Sequence, residues 1–163
     1  MSNIVKVILV LACVSAVLAV QSNTGNMSLE QQQSIEKEIM KVHAGMVKAA
    51  ENYDAEGLFS YVLDECKGVI VQDGNITMTR QEALNAAKEG MKGLKDISYK
   101  FNKENITIIS PTVALWVANG TTSITITEDG RQLNIPFAET IVFVQRDGQW
   151  KVFHAHRSNP NTP

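Results

Sequence analysis

The chain has 163 residues, enough for one domain or for one domain behind a leader. Its formal net charge is −2 and its apolar content is ordinary for a globular protein. There is no basic footprint, which argues against nucleic acid as a partner, and no polyanionic tail.

The opening segment stands apart. Lys6 is the only charge before Glu30, and Val7 to Val20 (VILVLACVSAVLAV) is continuously apolar or small. A single positive charge followed by such a run is the pattern of a secretory signal peptide, here residues 1–20, with cleavage expected near Ala19 or Ser22. A retained membrane anchor is the other reading, but the run is shorter than the ~20 residues of a helical span. The expectation is a secreted or periplasmic protein with no membrane association once the leader is removed. Cys13 falls inside the leader, which leaves Cys66 as the one remaining thiol and rules out an internal disulfide in the exported chain. Cys66 is read as a buried, inert thiol, with an intermolecular bridge as the alternative. Sequons at Asn26, Asn75, Asn105 and Asn119 matter only if the host glycosylates exported chains.

Residues 21–27 are polar and read as a linker. Ser28 and Gln31 form a capping-box pair that opens a helix running to about Asn52. Its apolar positions Ile35, Ile39, Val42, Met46 and Ala50 recur every three or four residues and make one face, with His43 beside it as a packed or boundary residue. Tyr53-Asp54 breaks that helix, and Asp54 caps a short second one through about Leu63. Gly68 to Gln72 (GVIVQ) is a short strand, turned by Asp73-Gly74. Thr79 and Glu82 form a second capping box, opening a third helix from Arg80 to about Lys92.

From Ser98 the period changes to two. Tyr99 and Phe101 alternate with polar residues, and Ile106 and Ile108 follow. Val113 to Thr127 is a long strand, Asp129-Gly130 a turn, and Gln132 to Arg146 the returning strand, where Pro136 predicts an edge position or a bulge. Glu139 to Ser158 (ETIVFVQRDGQWKVFHAHRS) is a hairpin about Asp147-Gly148, because Gly accepts a positive φ without steric cost. Both faces of this hairpin carry bulky apolar residues, so both are expected to be at least partly covered. Its last strand ends in His154, His156, Arg157 and Ser158, where chemistry or binding is to be sought. Residues 159–163 are a tail. Helices first and antiparallel strands after them predict an α+β domain. Gly120 and Pro136 within long strands predict strong curvature, giving a cone-shaped curved antiparallel sheet with three N-terminal helices packed on its concave face.

The long first helix, the Tyr53-Asp54 break, the small second helix and the ending DGQWKVFHAHRS resemble the SnoaL-like branch of the nuclear transport factor 2-like superfamily. The closing segment is also similar to the end of the association domain of calcium/calmodulin-dependent protein kinase, which shares the fold. The resemblance covers residues 28–158. It implies a homodimer packed through the outer sheet face, and a superfamily whose members range from isomerases, dehydratases, epoxide hydrolases and cyclases to non-catalytic binding and assembly domains, so it does not settle activity. It implies a pocket arginine at Arg157, while Ala118 and Ile141 stand where two other arginines of the association domains are expected. It also chooses the inner face: Trp116, Ala118, Glu139, Ile141, Phe143, Phe153, Ala155 and Arg157, with Trp150, Val152, His154 and His156 opposite.

On that parity the ligand-pocket residues are Trp116, Glu139, Phe143, Phe153 and Arg157. Glu139 can serve as acceptor or general base and Arg157 can orient a polar ligand; a buried ion pair that merely joins two strands is the competing reading. His154 and His156 share one strand face and could bind a metal, but no third ligand is spaced nearby, so neither metal nor cofactor is expected. They are read as outer-face residues at a dimer contact, with pocket acid–base residues the reading if the parity is reversed. The favoured function is binding of a small, mostly apolar molecule in a conical pocket. The alternatives are a hydrolase, isomerase or dehydratase acting through Glu139, His154 or His156 with Arg157, and a non-catalytic assembly module.

Overall fold

The computed structural model describes residues 27–65 and 67–160. The leader, residues 21–26 of the linker, Cys66 and residues 161–163 lie outside the described residues. Three helices and six strands follow in order: α1 Leu29–Glu51, α2 Ala55–Phe59, β1 Ile70–Gln72, β2 Asn75–Thr77, α3 Arg80–Met91, β3 Leu94–Ser110, β4 Val113–Ile126, β5 Gln132–Arg146 and β6 Gln149–Ser158.

Local chemistry sets most of these boundaries. Ser28 and Thr79 each complete a reciprocal capping box, with Gln31 and Glu82 respectively, and so satisfy donors that a helix start leaves orphaned. Tyr53 ends α1 with a positive φ of 59°, and the Asp54 side chain then accepts the Gly57 N–H at 2.8 Å to start α2. Asp73-Gly74 and Asp147-Gly148 both take positive φ, as tight hairpin turns need. The first of these joins β1 to β2, a strand not anticipated from the sequence.

The sheet order is β2-β1-β6-β5-β4-β3. It is curved, open and mostly antiparallel; among the described strands β1 and β6 pair in parallel, which sets Gln72 beside Arg157, and an isolated parallel bridge joins Val62 to Val152. Pro136 sits on a central strand, but β6 reaches only as far as Ala138, so the β6 side of Pro136 has no partner strand. The proline is locally at an edge, where its missing N–H is harmless.

Of four register shifts among the described strands, two set the side-chain phase around the core. Asn102 is an extra residue in β3, between the pairs Phe101–Gly120 and Lys103–Asn119. Tyr99 and Phe101 therefore share the inner face with Ile106 and Ile108, although their numbers differ in parity. Phe153 is an extra residue in β6, between the pairs Val142–His154 and Phe143–Val152. Trp150 and Val152 thus point inward with Ala155, and both are buried. This corrects the uniform alternation expected for β6: Phe153 leaves the inner face and is 43% exposed. An extra residue against a single partner breaks the period of two, which is how one strand can aim both halves at one core. The core itself is built on Trp116, Phe143, Ile39, Ile141, Val69 and Val152.

Candidate functional site

Between α1, α2 and the inner sheet face lies a cavity of about 180 Å³. Most of its wall is apolar: Met46, Val47 and Ala50 from α1, Leu58, Phe59 and Val62 around α2, and Phe101, Ile141, Val152 and Ala155 from the sheet. Five polar side chains interrupt that wall: His43, Gln72, Tyr99, Glu139 and Arg157.

Glu139 and Arg157 are register partners across β5 and β6. They share the cavity, yet among the described residues neither takes part in an ion pair. Burial pushes the Glu139 carboxyl above the usual carboxylate range, and the Arg157 charge works against that rise. Arg157 is held from three sides. Its guanidinium carbon lies 4.1 Å from the Phe137 ring centroid and 5.7 Å from that of Tyr99. A terminal nitrogen donates to the Thr122 hydroxyl, and Nε donates to Asn159 Oδ1 at 3.4 Å. Asn159 in turn donates its backbone N–H and side-chain amide to the two carboxylate oxygens of Asp73, at 2.8 and 2.7 Å. Those two bonds hold the Asp73 carboxyl below its ordinary range. The turn of the β1–β2 hairpin is thereby tied to the arginine, which forms no ion pair with a carboxylate among the described residues. Such a group, with a planar fork of donors, suits an oxygen-bearing ligand.

Three polar lining residues were not anticipated, His43, Tyr99 and Gln72, the last set beside Arg157 by the β1–β6 pairing. His43 is buried and packs on Trp116, with ring centroids 4.1 Å apart, and edge-on to Phe101 at 5.0 Å. Burial alone drives its imidazole down to about 4, so it is neutral at ordinary pH. The signal was present in the spacing Ile39, His43, Met46, Ala50, which places His43 on the buried line of α1 rather than beside it. Tyr99 is the second. Its hydroxyl is pushed up by burial, and Arg157 opposes the shift.

The residues expected from the sequence divide into three groups. Glu139 and Arg157 line the cavity. Trp116 and Phe143 are fully buried behind its wall; Trp116 backs His43, and its indole N–H has no hydrogen-bond partner among the described residues. Phe153, His154 and His156 lie away from the cavity. His154 places Nδ1 2.9 Å from the Gly68 carbonyl, and His156 is exposed. Among the described residues no cluster of side chains suited to a metal ion is found.

The family model of the SnoaL-like domain matches residues 39–162. The chain belongs to the SnoaL-like domain family. The SnoaL-like domain here is similar in fold to a scytalone dehydratase candidate from Novosphingobium aromaticivorans, with a TM-score of 0.76 and 14% identity over 83% of this chain and 91% of that one. It is also similar to the hexachlorocyclohexane dehydrochlorinase LinA-type3 from Novosphingobium barchaimii, with a TM-score of 0.71 and 13% identity over 82% and 92% of the two chains. A protein with a cystatin-like fold from Caulobacter vibrioides reaches 22% identity and a TM-score of 0.65 over 77% and 89%. At these identities the likeness is one of fold. No curated protein matches the SnoaL-like domain by sequence.

Proposed function

We propose that this SnoaL-like domain binds a small, mostly apolar molecule carrying one oxygen-bearing polar group. The apolar part lies against the α1, α2 and sheet side chains, and the polar group meets Arg157, Tyr99 and Glu139. The observation that carries this reading is the pair Glu139 and Arg157, set side by side in a mostly apolar cavity without closing on each other. A half-buried charge without a close counter-ion has lost part of its hydration, and a ligand that supplies the missing partner offsets that loss. The apolar wall with a few convergent polar groups has the general make-up of ligand sites.

A second reading is favoured by the titration of the same groups. Burial raises Glu139 and lowers His43, so one cavity holds a carboxyl that keeps its proton more readily and an imidazole that gives its proton up more readily than in water, a pairing suited to acid–base catalysis. The similarity in fold to a dehydratase candidate and a dehydrochlorinase is compatible with this chemistry. The proposal also includes export by the segment Val7 to Val20 and a homodimer formed through the convex sheet face.

The test is a thermal-shift screen of the protein against a small-molecule library, run beside Arg157→Ala. Compounds that raise the melting temperature of the wild type, and lose that effect in the variant, support binding at this cavity. Turnover of the same compounds then separates enzyme from binding protein. If no compound shifts the wild type, the binding reading is abandoned.

A further inference from the structure

The cavity does not end at its own wall. Leu58, Phe59, Ile70 and Tyr99 also line a second, larger void of about 580 Å³ that runs outward beneath α3. Its further wall is formed by Ala83, Ala87 and Met91 of α3 and by Leu94 and Ile97 at the start of β3. The inner cavity, at about 180 Å³, is close to the ~150 Å³ that holds a benzene-sized guest. A ligand any longer than that must continue into the groove.

The two compartments differ in chemistry. The inner one holds the Arg157 guanidinium beside Glu139, whose carboxyl burial pushes towards its neutral form, whereas the groove's lining carries, among the described residues, one acid, Asp73 at the β1–β2 turn, and no base. A carboxylate is therefore drawn inward to Arg157 and repelled from the outer rim, which leaves its hydrocarbon part to lie along Ala83, Ala87 and Met91. We propose that the ligand of this site is a long-chain carboxylic acid: its carboxylate is held at Arg157 in the cavity and its aliphatic tail lies in the groove under α3. This rests on the binding reading given above and adds to it the class of ligand and the tail site.

The experiment titrates the protein with butanoate, octanoate and sub-micellar dodecanoate, following backbone amide shifts by NMR. Each methylene that leaves water strengthens binding by about three- to fourfold. The expected result is an affinity that climbs at least tenfold from butanoate to octanoate, with tail-dependent shifts on α3. Ala87→Phe fills the groove, and Ala86→Glu, at an exposed position on its lining, adds a charge there without disturbing the core. Both variants are expected to flatten the dependence on chain length while leaving butanoate affinity as in the wild type.

Butanoate binding with no gain from longer chains overturns the tail site and leaves the cavity reading standing. A gain that neither variant reduces places the tail elsewhere and also overturns the proposal. If no alkanoate binds but other compounds stabilise the protein in the Arg157-dependent manner, the carboxylic-acid class is wrong. If nothing binds by either assay, both readings fall.

Discussion

His43 is a titratable side chain held out of water, and the consequence can be measured. Its folded value of about 4 lies below the 6.5 of an unperturbed imidazole. Between those limits the unfolded chain takes up a proton that the folded chain refuses. The stabilisation is fully present above pH 6.5 and is lost as the pH falls from 6.5 towards 4. At 1.36 kcal/mol per unit the full effect is about 3 kcal/mol. His43→Phe retains a ring against Trp116 and removes the titration. The unfolding free energy of the wild type relative to that variant is expected to decline through this window in urea denaturation. Asp73 and Glu139 titrate in both proteins and cancel in the difference. A difference that stays flat with pH would mean that His43 is solvated and that the cavity wall is not as described. Of the cavity's polar groups, Glu139 and Arg157 were legible because the closing hairpin carries them and the family resemblance turned their face inward. His43 was discounted because a helical histidine next to an apolar stripe is ordinarily bland, and only its contact with Trp116 and Phe101 shows that it lies under the sheet.

At the scale of elements, capping boxes, positive-φ turns and the change of period from helix to strand placed nearly every segment within a few residues. The signals are local, and the structure uses them locally. What the pattern could not supply was the phase within a strand. In QWKVFHAHRS the alternation slips at the adjacent apolar pair Val152-Phe153, but that slip does not by itself say which residue is the extra one. What fixes the register is long-range: β6 pairs with β5 on one side and with the short parallel β1 on the other. Gly120 is the opposite case, a curvature signal that can be read and tested. A Cβ there would stand 2.3 Å from the Lys100 carbonyl oxygen and 2.9 Å from Phe137. The β3 backbone cannot retreat without losing its pairing beside the Asn102 bulge. Gly120→Ala is therefore expected to lose about 1–3 kcal/mol in urea denaturation. Gly90→Ala in α3, where the added carbon meets open space, is expected to gain up to about 1 kcal/mol. Equal effects at the two positions would remove the close approach as the reason for Gly120.

For the whole molecule, the β6 bulge assigns the two sheet faces to two tasks. Inward, it lets Trp150 and Val152 join the core while Ala155 and Arg157 reach the cavity. Outward, it leaves Phe153 43% exposed, next to His154, the register partner of Val142, and Val142 pairs in turn with Leu115 of β4. Val142 and Leu115 are themselves only half-buried. The proposed homodimer would cover this part of the convex face, since an apolar ring held out by the backbone itself cannot fold back into its own core. Phe153→Asp puts a charge at that position and touches none of the buried residues around the cavity. Sedimentation velocity is expected to show a wild-type dimer and a variant that dissociates at the same concentration, because an unpaired charge at the centre of an apolar contact is disfavoured by several kcal/mol. His43 should remain neutral to about pH 4 in both, which reports that the cavity side of the sheet is intact. A wild type that is monomeric throughout, or a variant that stays dimeric, would leave Phe153 without a partner and send the search for one to another face.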